Sequence, residues 1–549
     1  MSLNKADLPV ADFSGGYDIS VPATRLDPSK TPNCSNVRWK NGAVEKRPGF
    51  VYHSVAPLSM TIILGGVHAQ TYTTAAKRFT IIGLNGTLVE SAYLSAAATW
   101  TKYDSGTDKL PVVYTGGDHW LNTCSIVDDT TSPPDGVADL DRTIFNVTPT
   151  DPLLLYNTGG AATDNYIGYG DGADVGTVAG NLQAKVIISF FGRLVLFGTP
   201  KSNVIKWSVQ WNHDDLSASG SGNFYLFDTG GPVMNAALLN DTIICYKDDS
   251  IWVGTRLTAS PFIRWSCKYP DVGLMSPRLL AQFGNYHLFV GNNNIYAYAG
   301  GSELYDIGTP VWKSFLADIR KGEAAAGQVY KNRCFASVHR DTGDICFWVV
   351  TGTALWPNKA YVYNWFDKTW TIWNLPVSGA NQLVFTGWAE YDTDSLQSSL
   401  EHIPFYFCLK QSDATTVGNP MVLKYDDVTY TDVSPITSTT DGVLINAYIE
   451  TKTFIGSLDE ATNWARVVAD AKGLAASSPL SVQVSTNDGY SYDTARTQTL
   501  SANNYDSYLY AVNLSSKAVR YKFSDATISK AFALRGYQIV PSEDERKAQ

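Results

Sequence analysis

The sequence predicts an all-β protein: a β-propeller of about six or seven blades, with a loop-rich acidic insertion and a C-terminal β-sandwich-like domain. Three observations predict it: a repeat of 44 to 48 residues, a high aromatic content, and longer strand patterns after about residue 440. Aromatic residues make up 12% of the 549 residues, and such side chains pack well on pleated sheets. An array of β-sandwiches is the alternative architecture.

The repeat consists of two apolar strand patterns joined by a short polar turn. It is visible in four segments, 187–199, 237–254, 280–300 and 327–350. The first turns open at Gly192, Asn240, Gly284 and Lys331, so the spacings are 48, 44 and 47 residues. A four-stranded propeller blade takes about 40–50 residues, and radial stacking buries both faces of each small sheet. The same cadence continues less clearly upstream, at 77–92, and downstream, to residue 427.

We expect six parts along the chain. They are an N-terminal extended arm with a first strand (1–58), a first propeller blade (59–100), an acidic loop-rich insertion or irregular blade (101–182), the main blades (183–435), the β-sandwich-like domain (436–541) and a charged tail (542–549). One segment breaks the strand pattern. Val311, Phe315 and Ile319 recur at helical spacing behind Pro310, which predicts a helix within 310–327.

The segment 101–180 holds most of the net charge of the protein. It has twelve acidic and three basic residues, a sum of −9 against −10 for the whole chain. Its candidate functional carboxylates are Asp128, Asp129, Asp135, Asp139, Asp141, Asp171 and Asp174. Their spacing does not match the calcium loop of an EF-hand, so a solvated acidic surface is favoured over a metal site. We expect no metal and no other cofactor.

Catalytic motifs give little support for an enzyme. The candidate arginines for a sialidase-type carboxylate cluster are Arg193, Arg256, Arg264, Arg278 and Arg333, and no spacing among them selects a triad. The stretch Ser485–Tyr492 resembles an Asp-box but occurs once, which favours a hairpin turn. The seven histidines form no metal-ligand pair, and the seven scattered cysteines, including Cys334 and Cys346, are expected to be reduced core thiols.

Composition bears on partners and location. Charged residues are 17% of the chain and the net charge is −10, which argues against an ordinary basic nucleic-acid reader. The first sixteen residues lack an apolar core of signal-peptide length, and no run of about 18 apolar residues could span a bilayer. We expect a soluble protein made in a cytoplasm.

The N-terminal fifty residues resemble the opening of many bacteriophage tail and neck proteins. The elements of this resemblance are Gly15-Gly16, the prolines 22, 28 and 32, Asn36-Val37-Arg38, Asn41-Gly42 and Lys46-Arg47-Pro48-Gly49. The stretches 190–199, 204–208 and 361–373 are similar to blades of the propeller proteins that form the tail nozzle, or packaged-DNA stabilisation hub, of short-tailed phages. The resemblance spans roughly residues 7–430 and does not include the acidic segment.

This resemblance implies a structural virion protein rather than an enzyme. It implies a homo-oligomeric ring, a hexamer, that is assembled in the bacterial host cytoplasm and lies in the tail below the portal and adaptor, next to tail fibres or spikes. The ring would let double-stranded DNA pass without sticking and would help to retain and release the genome. The seven aspartates named above would line its channel. The alternative is a receptor- or glycan-binding tail protein, or a sialidase-like propeller glycosidase.

Overall fold

The computed structural model describes most of the chain between residues 11 and 542. The described ranges are 11–55, 60–70, 77–85, 88–96, 99–102, 122–128, 140–146, 153–157, 165–168, 183–199, 201–213, 215–324, 330–379, 381–392, 402–412, 418, 420–426, 429–435, 442–456, 459–502 and 504–542. No helix in these ranges is long and apolar enough to cross a membrane.

The structure describes six strands in the N-terminal segment, within residues 11–55. They are β1 (Gly16–Tyr17), β2 (Lys30–Thr31), β3 (Cys34–Ser35), β4 (Val37–Lys40), β5 (Ala43–Lys46) and β6 (Gly49–Val55). Strands β4 and β5 form a hairpin on Asn41 and Gly42, both with positive φ, as a type I′ turn requires.

Seven antiparallel sheets of blade type follow, numbered here in chain order. Blade 1 is β7 (Ile62–Gln70), β8 (Lys77–Asn85), β9 (Leu88–Ala96) and β10 (Thr99–Lys102). Blade 2 is β11 (Asn122–Asp128), β12 (Leu140–Asn146), β13 (Leu154–Asn157) and β14 (Asn165–Gly168). Blade 3 is β15 (Val186–Phe190), β16 (Arg193–Phe197), β17 (Val204–Trp207) and β18 (Gly222–Tyr225).

The remaining blades continue to residue 426. Blade 4 is β19 (Val233–Leu239), β20 (Thr242–Lys247), β21 (Ile251–Arg256) and β22 (Ile263–Tyr269). Blade 5 is β23 (Leu280–Phe283), β24 (Tyr286–Val290), β25 (Ile295–Tyr298) and β26 (Leu304–Asp306); helix α1 (Trp312–Ala324) and a 3₁₀ turn (Tyr330–Arg333) follow it. Blade 6 is β27 (Phe335–His339), β28 (Asp344–Val349), β29 (Lys359–Asn364) and β30 (Thr369–Asn374). Blade 7 contains β31 (Val377–Ser378), β32 (Asn381–Asp392), β33 (His402–Gln411) and β34 (Met421–Asp426).

The blades close into a ring. The first strands contact one another between blades 2 and 3, 3 and 4, and 5 and 6, and β27 of blade 6 contacts β32 of blade 7. Strand β7 of blade 1 contacts β12 of blade 2, and β32 of blade 7 returns to β7. Blades 4 and 5 share a buried cluster that contains Tyr246 and Phe289. Blade 7 takes its outermost strand, β6, from the N-terminal segment, where β6 pairs antiparallel with β34. The predicted fold class, an all-β protein with a β-propeller, is confirmed.

Two segments that break the sequence repeat contain described strands or a helix. Within 101–182, which the sequence assigned to an insertion or an irregular blade, strands β11 to β14 form a four-stranded sheet with the same strand order as the other blades. Helix α1 lies inside the predicted range 310–327. Phe315 and Ile319 of the helix, and Val311 just before it, are buried in the main core.

The described C-terminal strands form a separate pair, β35 with β36, and two packed sheets that include strands of the N-terminal segment. The strands are β35 (Thr431–Val433), β36 (Gly442–Leu444), β37 (Ala447–Glu450), β38 (Phe454–Ile455), β39 (Thr462–Gly473), β40 (Pro479–Ser485), β41 (Arg496–Thr499), β42 (Asp506–Ser516), β43 (Ala518–Asp525) and β44 (Phe532–Pro541). One sheet has the order β3-β37-β43-β40-β41, and the other β4-β5-β44-β39-β42. Alternate residues of β39, such as Val467, Ala469 and Ala471, are buried, as expected for one strand face of a sandwich.

Residues 46–49 join this sandwich to the propeller. Lys46 Nζ lies 3.3 Å from Asp525 of β43, and both side chains are fully buried. Arg47 Nη2 lies 2.5 Å from Asp432 of β35. A Cβ atom at Gly49 would collide with the carbonyl oxygen of Thr431, so the backbone approach requires glycine here.

Candidate functional site

Of the seven candidate aspartates, the structure describes the backbone of two. Asp128 and Asp141 lie in the paired strands β11 and β12, opposite Leu140 and Val127. Their side chains, and all of Asp129, Asp135, Asp139, Asp171 and Asp174, lie outside the described residues.

The five candidate arginines have separate roles. Arg278 donates from Nη2 to the carbonyl oxygen of Thr386, and Arg333 donates from Nη1 to that of Leu355, so both bind the backbone inside the fold. Arg264 is exposed on β22. Arg193 and Arg256 lie beside one small cavity, which is considered below.

The Asp-box-like stretch and the two cysteines Cys334 and Cys346 were also predicted to be structural. The Asp-box-like stretch is the turn between β40 and β41, where Asp488 Oδ1 accepts a hydrogen bond at 2.5 Å from Nη2 of the largely buried Arg520. This confirms the hairpin reading. Cys334 and Cys346 are buried reduced thiols, as expected of core thiols.

A larger cavity, of about 330 Å³, lies between blades 6 and 7. Its wall comes from the β27–β28 turn, the start of β33 and the end of β34. Because strands alternate in direction within a blade, turns between first and second strands and between third and fourth strands share one face of the propeller. The polar lining residues of this inter-blade cavity include Asp341, Thr342, His402, Lys424 and Asp426.

Glu390 of β32 connects two residues at the edge of the inter-blade cavity. Nε of Arg340 donates to Oε2 of Glu390 at 2.8 Å, and Nδ1 of His402 lies 3.3 Å from Oε1. The Arg340 side chain is 46% exposed, so the ion pair contributes at most about 1 kcal/mol to stability. Its main consequence is to hold Arg340 and His402 in fixed positions against the cavity.

The two aspartates of the cavity differ in how they are held. Asp426 accepts a hydrogen bond from the hydroxyl of Thr429 at 3.1 Å, and Lys424 Nζ lies 3.9 Å from its Oδ2. Asp341 is exposed at the tip of the β27–β28 turn and has no ion pair or side-chain hydrogen bond with the described residues. Its carboxylate is therefore open to a ligand.

His339 forms part of the cavity floor as a neutral imidazole. Its Nε2 lies 2.5 Å from the Tyr406 hydroxyl, while its Nδ1 is buried and has no hydrogen-bond partner in the described part of the chain. Burial, followed by the charge of Arg38, lowers the pKa of His339 to about 3. His339 therefore offers a polar but uncharged surface at neutral pH.

The buried histidines predict a loss of stability in mild acid. The pKa of His339 is lowered to about 3, and burial lowers that of His287 to about 4, whereas an unfolded histidine has a pKa of about 6.5. The unfolded state therefore binds more protons below pH 6.5, so stability falls as the pH falls from 6.5 towards these folded values. Each histidine should cost about 2 kcal/mol by pH 5.

Denaturant titrations at pH 7 and pH 5 measure this effect. Replacing His339 by Gln should reduce the difference in the free energy of unfolding between the two pH values by about 2 kcal/mol, whatever it does to stability at pH 7. His402→Gln is the matched control, since this side chain is 32% exposed. Equal pH dependence of His339→Gln and wild type would contradict the prediction.

The inter-blade cavity combines acceptors and donors within one small volume. Asp341 and Asp426 supply acceptor oxygens, while Lys424 and Arg340 supply donors and His402 can serve as either. A sugar hydroxyl both donates and accepts, so such a mixed lining suits a ligand with many hydroxyl groups. The sequence showed these residues only as turn-forming and strand-end positions, which are common in every blade.

No family model matches the chain, and no curated protein matches it. Solved structures do resemble it. An exo-β-1,3-galactanase from Phanerochaete chrysosporium, with β-1,3-galactotriose, is 10% identical, with a TM-score of 0.26, and the match covers 90% of this chain and 99% of the other. A glycoside hydrolase family 43 arabinoxylan arabinofuranohydrolase from Bacillus subtilis, in complex with cellotetraose, is 10% identical, with a TM-score of 0.25 and coverages of 90% and 97%. AztD from Citrobacter koseri is 12% identical, with a TM-score of 0.28 and coverages of 65% and 86%.

At these identities the likeness concerns the fold alone. The prediction of a structural tail nozzle that retains and releases DNA was wrong: the similar structures include an exo-β-1,3-galactanase and an arabinoxylan arabinofuranohydrolase. The expectation that the chain is not an enzyme was wrong for the same reason. The motif Lys46-Arg47-Pro48-Gly49 lies at the joint between the propeller and the sandwich, and the family resemblance based on it stays a prediction. The hexameric ring, its tail partners and a location in a virion stay predictions.

Proposed function

We propose that the protein recognises a carbohydrate in the inter-blade cavity between blades 6 and 7. The observation that carries the proposal is the position of the Asp341 carboxylate. It has no partner among the described residues, and it lines the same cavity as the donors Arg340 and Lys424. The cavity volume of about 330 Å³ is at the lower end of ligand cavities, which suits a short part of a glycan chain. This proposal takes up the glycan-directed alternative raised by the sequence.

Isothermal titration calorimetry of the full chain tests this proposal. The first neutral probes are β-1,3-galactotriose and cellotetraose, followed by arabinoxylan oligosaccharides. Replacing Asp341 by Ala removes acceptor oxygens that bind sugar hydroxyls, and we expect the Kd to rise at least about tenfold, or ~1.4 kcal/mol. Asp241→Ala is the matched control, because Asp241 is exposed in the equivalent first turn of blade 4.

Two results would count against glycan recognition at this cavity. One is the absence of measurable heat with all of these neutral oligosaccharides at millimolar concentration. The other is an unchanged affinity in Asp341→Ala together with a weakened affinity in Asp241→Ala, which would move the binding site to blade 4.

Hydrolysis of the bound glycan is a second candidate function. The observation that favours it is the presence of three carboxyl groups at one cavity, those of Asp341, Asp426 and Glu390. Glycosidases generally use two carboxyl groups that flank the scissile bond, one as general acid and one as base or nucleophile. Asp341 and Asp426 are the pair on the lining itself, while Glu390 positions Arg340 and His402.

Product analysis separates hydrolysis from binding alone. If the cavity is catalytic, Asp341→Asn and Asp426→Asn should each lower the rate of sugar release at least about 100-fold, because each removes an acid or base. Asp241→Asn should leave the rate unchanged. Binding without any release of reducing sugar from the same oligosaccharides would limit the function to recognition.

A further inference from the structure

Arg193 and Arg256 lie together at a second cavity, between blades 3 and 4, on the same face of the propeller as the inter-blade cavity. Arg193 begins β16, and Arg256 ends β21. The space is about 70 Å³, roughly the volume of two water molecules in the liquid. It has room for one small polar group and no room for a sugar ring.

Each guanidinium group lies over a phenylalanine ring of the neighbouring blade. The Arg193 Cζ atom is 4.3 Å from the ring centre of Phe262, and the Arg256 Cζ atom is 4.1 Å from that of Phe191. The stacking restrains the planes of both groups, and guanidinium groups bind flat oxyanions through parallel N–H bonds. The two aromatic contacts therefore leave the edges of the guanidinium groups to bind a ligand.

Arg193 has donors that the protein does not use. The residue is 8% exposed, and its Nη1 donates to the carbonyl oxygens of Ser208 at 2.9 Å and Gly220 at 2.6 Å. Its Nε and Nη2 have no hydrogen-bond partner among the described residues. Neither Arg193 nor Arg256 forms an ion pair within the part of the chain that the structure describes.

This arrangement places two positive charges side by side without a compensating carboxylate from the described residues. Burial, and then the charge of Arg256, lowers the pKa of Arg193. A buried cation is normally paired. A bound anion would pair with the buried charge of Arg193 and would reduce its repulsion from Arg256.

The backbone around the small cavity is held in uncommon conformations. Phe191, Trp211 and Phe262 have φ values of 49°, 60° and 64°, in the left-handed region that bulky residues rarely adopt. Such conformations cluster at ligand sites, where the surrounding structure enforces them. Two of these residues provide the rings under the arginines, so the strained backbone positions the guanidinium groups in advance.

We propose that the cavity formed by Arg193 and Arg256 binds an oxyanion of carboxylate or phosphate type through the free edges of the two guanidinium groups. Two ligands carry such an oxyanion. One is an acidic sugar, whose carboxylate enters the cavity while its ring stays outside, and the other is a free phosphate ion. This site does not depend on glycan recognition between blades 6 and 7.

Calorimetric titration of the full chain with three probes tests the site and distinguishes the two ligands. The probes are inorganic phosphate, digalacturonate, and neutral digalactose as the reference. We expect binding of phosphate, digalacturonate or both, and none of digalactose at this site. Binding of digalacturonate alone assigns the site to acidic glycans, and binding of phosphate alone assigns it to the free ion.

The variants locate the binding. Arg256→Gln should raise the Kd of the bound anion at least tenfold, and it should fold, because Arg256 is exposed and makes no hydrogen bond with the described residues. Arg264→Gln, an exposed arginine of the same blade, is the control and should leave the Kd unchanged. Asp341→Ala should also leave it unchanged, which separates this site from the inter-blade cavity.

Two results would overturn the proposal. One is the absence of binding of both anions to the wild-type protein at 10 mM. The other is an equal Kd in the wild type and in Arg256→Gln, which would show an adventitious interaction of the anion elsewhere on the surface.

Discussion

Replacing Arg47 by Met should lower the free energy of unfolding by about 3–5 kcal/mol, the largest effect expected of any single charged residue at the domain joint. The variant keeps the length of the side chain but removes the charge that faces Asp432. Arg47 is 0% exposed and Asp432 is 2% exposed, so the remaining carboxylate would be left buried without its partner.

The contacts of Arg47 explain the size of this effect. Its Nη1 and Nη2 donate to the two carboxylate oxygens of Asp432 at 2.9 and 2.5 Å. Its Nε donates to Oδ1 of Asn36 at 3.0 Å, and Nη2 also donates to the carbonyl oxygen of Asn374 at 3.2 Å. One side chain thus binds the N-terminal segment, blade 6 and the strand that leads to the sandwich.

Denaturant titrations of Arg47→Met and of the control variant Arg535→Met measure this loss in the free energy of unfolding. Arg535 pairs with Asp470 at 2.7 Å, but its side chain is 55% exposed, so its removal should cost far less stability than removal of Arg47. The double variant Arg47→Met with Asp432→Leu should recover part of the lost stability, because no buried charge remains unpaired. Similar losses for Arg47→Met and Arg535→Met would show that burial of the pair has no special role.

The sequence identified residues 46–49 as a motif but not their task. Asp432 is 385 positions from Arg47, and Asp525 is 479 positions from Lys46, so neither partner is visible in a local pattern. The functional inference drawn from the family resemblance was wrong, while the resemblance itself stays a prediction. What the structure adds is a structural role for the motif, a buried ion pair at the domain joint.

The propeller itself was predictable because its signal is local. Each blade hairpin brings together residues close in sequence, such as Phe190 and Arg193 on either side of the Phe191-Gly192 turn, so the repeat of turns and strands survives in the sequence. Closure of the ring was not predictable. Strand β6 pairs with β34 across more than 360 residues, and nothing in its pattern names that partner.

The candidate site was predictable only in part. Arg193 and Arg256 were selected by residue type, but their neighbourhood depends on the packing of blade 3 against blade 4. Asp341, Glu390 and Asp426 were missed, because a turn aspartate or a strand glutamate is common in every blade. They come together because blades 6 and 7 pack side by side, and this packing cannot be read from the spacing of the residues in the sequence.

Phe50, in the closing strand β6, provides the second large prediction. Replacing it by Ala should lower the free energy of unfolding by about 3–5 kcal/mol, because it is fully buried and its removal leaves a cavity. Its ring centre lies 5.0 to 6.4 Å from those of five aromatic residues, Trp348, Trp373, Phe385, Tyr406 and Tyr425. Arg47 also lies over the Phe50 ring, at 5.1 Å, so the closing strand and the domain joint share contacts.

Thermal and denaturant unfolding of three variants tests the role of Phe50. Phe50→Leu should cost less than Phe50→Ala, since it fills most of the volume, and Phe366→Ala should cost at most about 0.5 kcal/mol because Phe366 is 62% exposed. Phe50→Ala and Arg47→Met should be non-additive when combined, because the two side chains touch. Additive losses would mean that the closing strand and the joint are stabilised separately, and a small loss for Phe50→Ala would mean that β6 does not close the ring.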